Sequence, residues 1–258
     1  MPTISDQAIV LRRLDYSESS LVLVFFTRWH GKVRAIAKGV RRSTKTRFNP
    51  GIDLLECGQV TVSVRQVRQE ALAILSDWRP GRAFTGLRER MDRWHAAQYA
   101  ADVLGQLTDD WDPHAELFSA MEECLGALSD CSEALPPLVG FQRTALKETG
   151  LLPRLDACVG CGRPLRQRET LYFSSFDGGL ICRDCEPAQV EKRLVRVSME
   201  GLVDAAPATG ADIDGLFDVF DYHLSHVMGR APASREYLAG LVSGRLGGGP
   251  AGKRGRVR

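Results

Sequence analysis

Four cysteines stand in two pairs whose spacing suits a closed metal site. The pairs are Cys158-Val-Gly-Cys161 and Cys182-Arg-Asp-Cys185, separated by 20 residues. Each pair brings two thiolates to one side of a tight turn, and the stretch from Arg168 to Ile181 predicts a hairpin that returns the second pair to the first. Four sulfurs so placed suit structural zinc rather than catalysis, because they fill all the positions of a tetrahedral ion. Two disulfides or a redox Cys-x-x-Cys are the rival interpretations, and the second matching pair argues against both.

A run of basic residues predicts a surface for a polyanion. Eight of them occur without an intervening acidic residue: Arg28, Lys32, Arg34, Lys38, Arg41, Arg42, Lys45 and Arg47. On a strand, Lys32, Arg34 and Lys38 point to one face, since side chains two or four positions apart coincide. Arg65 and Arg68, in a predicted strand-to-strand turn, either extend the patch or are simply exposed. We predict that this face binds nucleic acid, with a solvated basic strand and loop as the alternative.

Aromatic residues near the basic run suit either base stacking or the barrel interior. Phe26 is expected in the core, whereas Trp29 and Phe48 suit both roles equally and Tyr16 is a further candidate for stacking.

The net charge of +2 conceals an asymmetry along the chain. Residues 1–80 contain 13 Lys and Arg against 7 Asp and Glu, whereas residues 81–150 contain 6 against 12. A basic first module argues for an anionic partner, and the change of sign indicates a domain boundary near residue 80. The acidic module is a candidate protein-docking surface, for which Glu122 and Glu123 are the test positions.

The chain carries no sign of export or of membrane insertion. It contains no apolar run long enough to span a bilayer, and its first residues lack the basic and apolar regions of a signal peptide. A cytoplasmic protein with reduced thiols is therefore expected. The other three cysteines, Cys57, Cys124 and Cys131, are then most simply small buried apolar residues.

Five strand candidates in the first 80 residues predict a small barrel. They cover residues 7–12, 20–26, 32–38, 54–64 and 70–75. Their alternation and β-branched content favour an OB-type barrel, with an SH3-like barrel as the rival.

A helical period replaces the alternation after residue 80. Helices are predicted from Phe84 to about residue 107, at 114–128, from Pro136 to Gly150, at 212–228 and at 234–241. The predicted class is α+β. The OB-type domain covers residues 1–80, and the helical domain covers 81–150 and 186–245. The zinc-finger insertion covers 151–185, and a disordered basic tail covers 246–258.

Other possible sites are weaker. His223 and His226 stand three apart on a helix, but two ligands make a poor metal site. The acidic run at residues 109–112 is better explained as a polar loop before a helix. No phosphate loop, nucleotide fingerprint or nucleophile motif occurs, and we expect a binding protein rather than an enzyme.

Two further function classes remain as alternatives. One is a zinc-ribbon adaptor that acts only through protein partners. The other is a metal-dependent nuclease or deaminase, which would need an open metal position and a His-x-Glu motif that the chain lacks.

Several segments resemble one family of bacterial proteins. They are Ala8-Ile-Val-Leu-Arg12, Ser17-Glu-Ser-Ser-Leu-Val22, Gly31-Lys-Val-Arg-Ala-Ile-Ala-Lys-Gly39, Glu148-Thr-Gly-Leu-Leu-Pro-Arg-Leu-Asp-Ala-Cys158 and Phe176-Asp-Gly-Gly-Leu-Ile-Cys182. Together with the order of basic barrel, helical domain and four-cysteine insertion, they resemble the RecO family of DNA repair and recombination mediators. The segment Gly229-Arg-Ala-Pro-Ala-Ser-Arg235 departs from the family pattern, which has a leucine and a lysine there.

The resemblance implies a function in recombinational repair. It implies binding of single- and double-stranded DNA, annealing of complementary strands, and contact with RecR and single-stranded DNA-binding protein (SSB). With these partners the family helps to load RecA onto coated strands. It also implies an OB-fold, a structural Zn²⁺ and a location near the nucleoid.

Overall fold

Five strands in the first 80 residues close into a barrel. The computed structural model describes residues 2–18, 20–38, 52–64, 72–166, 169–197 and 210–246. The strands are β1 (Thr3–Asp15), β2 (Leu21–Thr27), β3 (Gly31–Ala37), β4 (Cys57–Ser63) and β5 (Ala73–Pro80). They follow the closed order β1-β2-β3-β5-β4, in which β3 and β5 are parallel and the other pairs antiparallel. The predicted OB-type barrel is confirmed.

Alternating side chains fill the barrel interior. Leu21, Leu23 and Phe25 of β2 point inward, as do Val33 and Ala35 of β3, and all are at most 1% exposed. Phe26 points the other way and is also fully buried, because a helix covers that side of the barrel. The prediction that Phe26 is a core residue is confirmed.

Three helices follow the barrel and two more complete the helical part. They are α1 (Met91–Leu107), α2 (Ala115–Asp130), α3 (Leu135–Glu148), α4 (Gly210–Val227) and α5 (Arg235–Leu246). The helix predicted from Phe84 is in fact two elements, a 3-10 turn at Thr85–Arg88 and then α1. Arg90 separates them because its backbone is extended, with φ −140° and ψ 136°.

The cysteine segment forms a small sheet of its own. Its strands β6 (Leu171–Ser174), β7 (Gly179–Cys182) and β8 (Arg193–Leu194) lie in the order β7-β6-β8. The predicted hairpin is therefore present as β6 and β7. Gly178 occupies its turn at φ +71°, a conformation that favours glycine.

The outer face of the barrel shares an apolar cluster with the helices, apart from the cluster that fills the barrel interior. Ile9 and Leu11 of β1 join Phe26 in a cluster with buried residues of α1 to α4. Phe26 stacks on Phe118 of α2 with ring centroids 6.5 Å apart. Gly31 lies so close to the loop between α1 and α2 that an added Cβ would stand 2.0 Å from the carbonyl oxygen of Asp112. This contact leaves no room for a side chain.

The structure does not test the predicted basic tail or the predicted domain bounds. The predicted tail lies outside the described residues beyond position 246, and the predicted domain bounds stay predictions. Within the ranges that are described, no helix has the length and apolar content needed to cross a bilayer.

Candidate metal centre and nucleic-acid interface

The four cysteines of the two pairs come together in space. The Sγ atoms of Cys158, Cys161, Cys182 and Cys185 all lie within 4.8 Å of one another. Cys158 and Cys182 are buried, Cys185 is half-buried and Cys161 is exposed. The cluster can hold a metal ion, and no other group of three or more potential ligand side chains occurs in the part of the chain that was described.

The surroundings of Cys158 and Cys182 favour the thiolate forms of these two cysteines. Burial opposes ionisation of Cys158, but backbone N–H groups outweigh it and lower the pKa of this thiol to about 6. The amide of Cys182 is one of these donors, 3.3 Å from the sulfur. Hydrogen bonds to the sulfurs of Cys182 and Cys161 instead raise the pKa of Cys185 to about 12. A divalent ion would displace the thiol protons on binding, because the thiolate is the form that ligates a metal. The donor set fits Zn²⁺.

A salt bridge stands beside the cysteine cluster. Arg163 contacts both carboxylate oxygens of Glu169, at 2.7 and 3.4 Å. Burial opposes ionisation of Cys182, but hydrogen bonds from the Cys185 backbone and, to a smaller extent, from Arg163 lower the pKa of that thiol. A cation next to a cysteine-rich site reduces the repulsion among its thiolates.

The hairpin is attached to α4 by hydrogen bonds. His223 is 4% exposed, and its two ring nitrogens contact the Ser175 hydroxyl at 2.8 Å and the Leu151 carbonyl at 2.9 Å. Glu191 accepts hydrogen bonds from the hydroxyls of Ser174 and Tyr222. His223 thus serves the packing of the hairpin in this structure, and both of its nitrogens have protein partners.

The remaining cysteines differ in burial. Cys57 and Cys124 are buried, whereas Cys131 is half-buried. Burial raises the pKa of Cys57 to about 11 and raises that of Cys124 further. The expectation of small buried apolar residues is thus confirmed for Cys57 and Cys124.

The basic face is only partly described. Arg34 and Lys38 are exposed along β3 and just beyond it. The predicted residues that lie outside the described ranges are Arg41, Arg42, Lys45, Arg47, Arg65 and Arg68, together with the aromatic Phe48. Arg34 forms an ion pair with Asp110, with Nε 3.0 Å from the carboxylate. Its side chain is still 56% exposed, so the pair leaves the guanidinium accessible.

Lys32, a predicted DNA contact, is buried in the structure. The residue is 8% exposed, and its ammonium donates to the carbonyls of Gly105 at 2.8 Å and Thr108 at 2.5 Å. Lys32 does share a strand face with Arg34, as predicted, but the end of α1 covers that part of the face. Its charge stabilises the C-terminal end of α1 instead.

Arg28 is also engaged within the molecule. Its guanidinium lies 4.7 Å from the ring centroid of Phe118 and 3.5 Å from the carboxylate of Glu122. Glu122, one of the two test positions for partner docking, therefore faces the protein's own barrel. Arg28 remains a prediction as a DNA contact, with a side chain that is 26% exposed.

Two candidate stacking residues are exposed. Tyr16 and Trp29 are 66% and 64% exposed, so neither belongs to the core. Asp6 holds the turn that presents Trp29, since its buried carboxylate accepts the Trp29 amide at 2.8 Å.

Sequence reasoning missed two arginines beside the basic face. Arg12 of β1 and Arg230, between α4 and α5, both contact the carboxylate of Asp102 in α1. Alternation along β1 could have placed Arg12 on the outside of the barrel. No local sequence pattern could have predicted that Arg230 lies beside Arg12, because 218 positions separate the two arginines.

Comparison with known proteins decides the family. The sequence model described as "Recombination protein O N terminal" matches residues 1–80, and "Recombination protein O C terminal" matches residues 88–236. The chain belongs to the RecO family. The family's barrel and its helical part thus account for nearly all of the described structure.

Relatives extend over almost the whole chain. A protein named DNA repair protein RecO from Anaeromyxobacter sp. is 34% identical over 254 residues, covering 89% of this chain and 93% of its own length. One of the same name from Myxococcus xanthus is 32% identical over 252 residues, covering 93% and 98%. A third, from Rhodopirellula baltica, is 35% identical over 183 residues, covering 70% and 67%. The family resemblance seen in the sequence is confirmed, and the chain is a RecO family DNA repair protein.

The segment at residues 229–235, which departs from the RecO family pattern, leads from α4 into α5. Arg230 contacts Asp102 and Arg235 contacts the buried carboxylate of Asp221, with Nε 2.6 Å from the oxygen. The amide of Ala233 donates to Asp102 as well, at 2.7 Å. The chain therefore docks its last helix through arginines and a backbone amide.

Proposed function

We propose that this RecO family protein binds single- and double-stranded DNA through the barrel and anneals complementary strands. With RecR, it helps to load RecA onto strands coated by SSB. Phosphates are the expected contacts, so binding is independent of sequence. Neutralised strands repel one another less, which favours the approach of two complementary strands.

One observation carries this proposal. Exposed Arg34 on β3 and Lys38 just after it precede residues 39–51, which contain four further basic residues and no acidic one. The barrel that carries them has the OB-type strand order, and OB-folds commonly bind oligonucleotides on the β2–β3 face. The excess positive charge of residues 1–80 supports the same partner.

We also propose that the cysteine cluster binds Zn²⁺ for structure alone. Four cysteine ligands would leave the ion no open position for a substrate or a reactive water. The ion would hold the β6–β7 hairpin in the shape that docks on α4 through His223 and Glu191. The partners RecR, SSB and RecA are part of the proposal on the strength of family membership.

Fluorescence anisotropy of a labelled random-sequence single strand tests the DNA-binding proposal. We expect tight binding that weakens steeply as salt concentration rises, because each neutralised phosphate releases counterions. A variant with Arg41, Arg42, Lys45 and Arg47 changed to Ala should lose most of this affinity. Its salt dependence should become shallower by about 0.7 in slope for each lost contact.

A control variant removes positive charge elsewhere on the surface. The variant Arg79→Ala/Lys147→Ala takes away two exposed charges, with side chains 80% and 71% exposed, and should bind DNA like the wild type. Binding that is absent at moderate salt would favour the adaptor that acts only through proteins. An equal loss of affinity per removed charge in both variants would show that net charge, rather than this face, is responsible.

A further inference from the structure

A groove crosses the outer face of the barrel beside the end of α1. Arg12 pairs with Val24 and Val24 with Arg34, so these three residues form one row across β1, β2 and β3. Leu14 and Val22 lie opposite each other in the next row. The groove encloses about 360 Å³ and combines basic and apolar side chains along its length.

The walls are basic and the floor is apolar. Arg12, Arg34 and Arg230 line the groove with side chains that are 49%, 56% and 52% exposed. Leu14 and Leu72, also in the lining, are 55% and 39% exposed although both are large apolar residues. Water therefore reaches both the guanidiniums and the leucines.

One buried carboxylate holds two of these arginines. Asp102 is 5% exposed and accepts from Arg12, Arg230 and the Ala233 amide. A single negative charge thus faces two guanidiniums, so positive charge remains in excess at this wall. Arg230 comes from the segment between α4 and α5, so the C-terminal part of the chain closes a groove on the N-terminal barrel.

The combination of charge and apolar surface selects among ligands. A single strand offers phosphates to the guanidiniums and unpaired base faces to the leucines. A duplex offers the same phosphates but keeps its base faces inside the stack, so the apolar floor gains nothing from it.

We propose that single-stranded DNA lies in this groove and that Arg230 supplies one of its phosphate contacts. This inference rests on the proposed DNA-binding function and adds a site that spans both parts of the chain. Asp102 acts as a positioning residue, because it orients Arg12 and Arg230 without touching the strand. The apolar floor favours unpaired over paired DNA.

Two variants of the full-length protein test the inference by anisotropy with a labelled single strand and with the same strand in a duplex. Arg230→Gln removes the charge but keeps a donor for Asp102. It should weaken single-strand binding by about threefold to tenfold and make the salt slope shallower by about 0.7. Leu14→Ala should weaken single-strand binding without changing the salt slope, since its contact is not ionic. Leu14→Ala should leave duplex affinity nearly unchanged, because a duplex keeps its base faces inside the stack. Arg230→Gln removes a phosphate contact and should weaken duplex binding as well.

The control is Arg154→Gln, whose side chain is 53% exposed and lies outside the groove. Thermal unfolding confirms that each variant is folded. A wild type without DNA affinity would refute the proposed function itself. Normal wild-type binding with an unchanged Arg230→Gln variant would refute only the groove. Equal losses of single-strand and duplex affinity in Leu14→Ala would refute the preference for single strands. If Arg230→Gln lost binding of a labelled glutamate-rich peptide but kept DNA binding, the groove would belong to an acidic polypeptide.

Discussion

Single residues in this protein take roles that their charge alone does not reveal. Lys32 and Lys38 belong to the same basic run, yet one is buried against α1 and the other is exposed. Periodicity places a side chain on one face of a strand, but it does not tell what covers that face. The carbonyls that accept from Lys32 belong to residues more than 70 positions later.

Replacing Lys32 and Lys38 should distinguish a lysine that stabilises the fold from one that contacts DNA. Lys32→Met removes the donor to the carbonyls of Gly105 and Thr108 and the cation that stands 3.6 Å from the carboxylate of Asp110. We expect it to lower the free energy of unfolding by about 2–3 kcal/mol. Lys38→Met should change stability by less than about 0.5 kcal/mol, as exposed substitutions usually do. Urea denaturation measures both values.

DNA binding per folded molecule should show the reverse order. Lys38→Met is expected to weaken it, whereas Lys32→Met should leave the salt slope unchanged. A shallower slope for Lys32→Met would restore this residue to the DNA-binding face.

His223 should make the hairpin's attachment sensitive to acid. Burial is the main cause that lowers the pKa of His223 below 6.5 in the folded protein. The unfolded chain then binds the proton more readily, so stability is complete above pH 6.5 and falls as pH drops through that value towards the folded pKa. The nearby charged groups are His226, which lowers the pKa, and Glu191, which opposes that effect.

The variant His223→Asn isolates this contribution. Wild type and variant are compared by urea denaturation at pH 7.5 and pH 5, and the wild type should lose more stability than the variant between the two. An NMR titration of the His223 ring should give a midpoint below 6.5. Identical pH dependence in both proteins would contradict the assignment.

At the scale of elements, the cysteine hairpin was the most predictable part of the chain. Its two pairs lie within 28 residues, so a local spacing rule is enough to bring the sulfurs together. Strands with clear alternation were also found, although β1 and β5 extend beyond their predicted ends. The two-residue strand β8 was not found, because two residues carry no alternation.

Removing the metal should expose some thiols and not others. With Zn²⁺ bound, we expect iodoacetamide at pH 8 to leave the four cluster cysteines unmodified. A chelator should make Cys161 react first, since it is the exposed member of the cluster. Cys57 and Cys124 should stay protected until global unfolding, because burial raises the pKa of both.

Mass spectrometry of the alkylated protein counts these modifications. Full reactivity of the cluster before chelation would contradict a bound metal. The variants Cys161→Ser and Cys182→Ser should lower stability more than they lower DNA binding per folded molecule. A loss of DNA binding in a folded variant would make the hairpin itself a DNA contact.

At the scale of the whole molecule, the barrel and the helices behave as one packed body. The barrel's outward apolar residues, among them Ile9 and Phe26, are fully buried against the helices. The change of charge near residue 80 indicated two modules but gave no sign of how they dock. Docking depends on long-range contacts such as Gly31 with Asp112, which local patterns do not encode.

Gly31→Ala should disrupt this docking. The new Cβ would stand 2.0 Å from a backbone oxygen, and the residue would have to keep φ at +67°. We expect a loss of more than about 3 kcal/mol in the free energy of unfolding. Gly229→Ala is the matched control, with φ +68° and open space around the new Cβ, and should cost about 1 kcal/mol.

Urea denaturation of the two glycine variants gives the comparison. Similar losses would mean that backbone strain alone matters at Gly31 and that the α1–α2 loop moves away easily.

Because Arg12 and Arg230 meet on Asp102, the groove is completed late in the synthesis of the chain. Arg12 is made at the beginning of the chain and Arg230 near its end, yet both meet on this residue of α1. Domains that emerge from the ribosome fold as units, the N-terminal one first. The barrel can therefore close long before its groove is complete. A chain still under construction carries a half-built site, and it gains its second guanidinium only after the last helices have been translated.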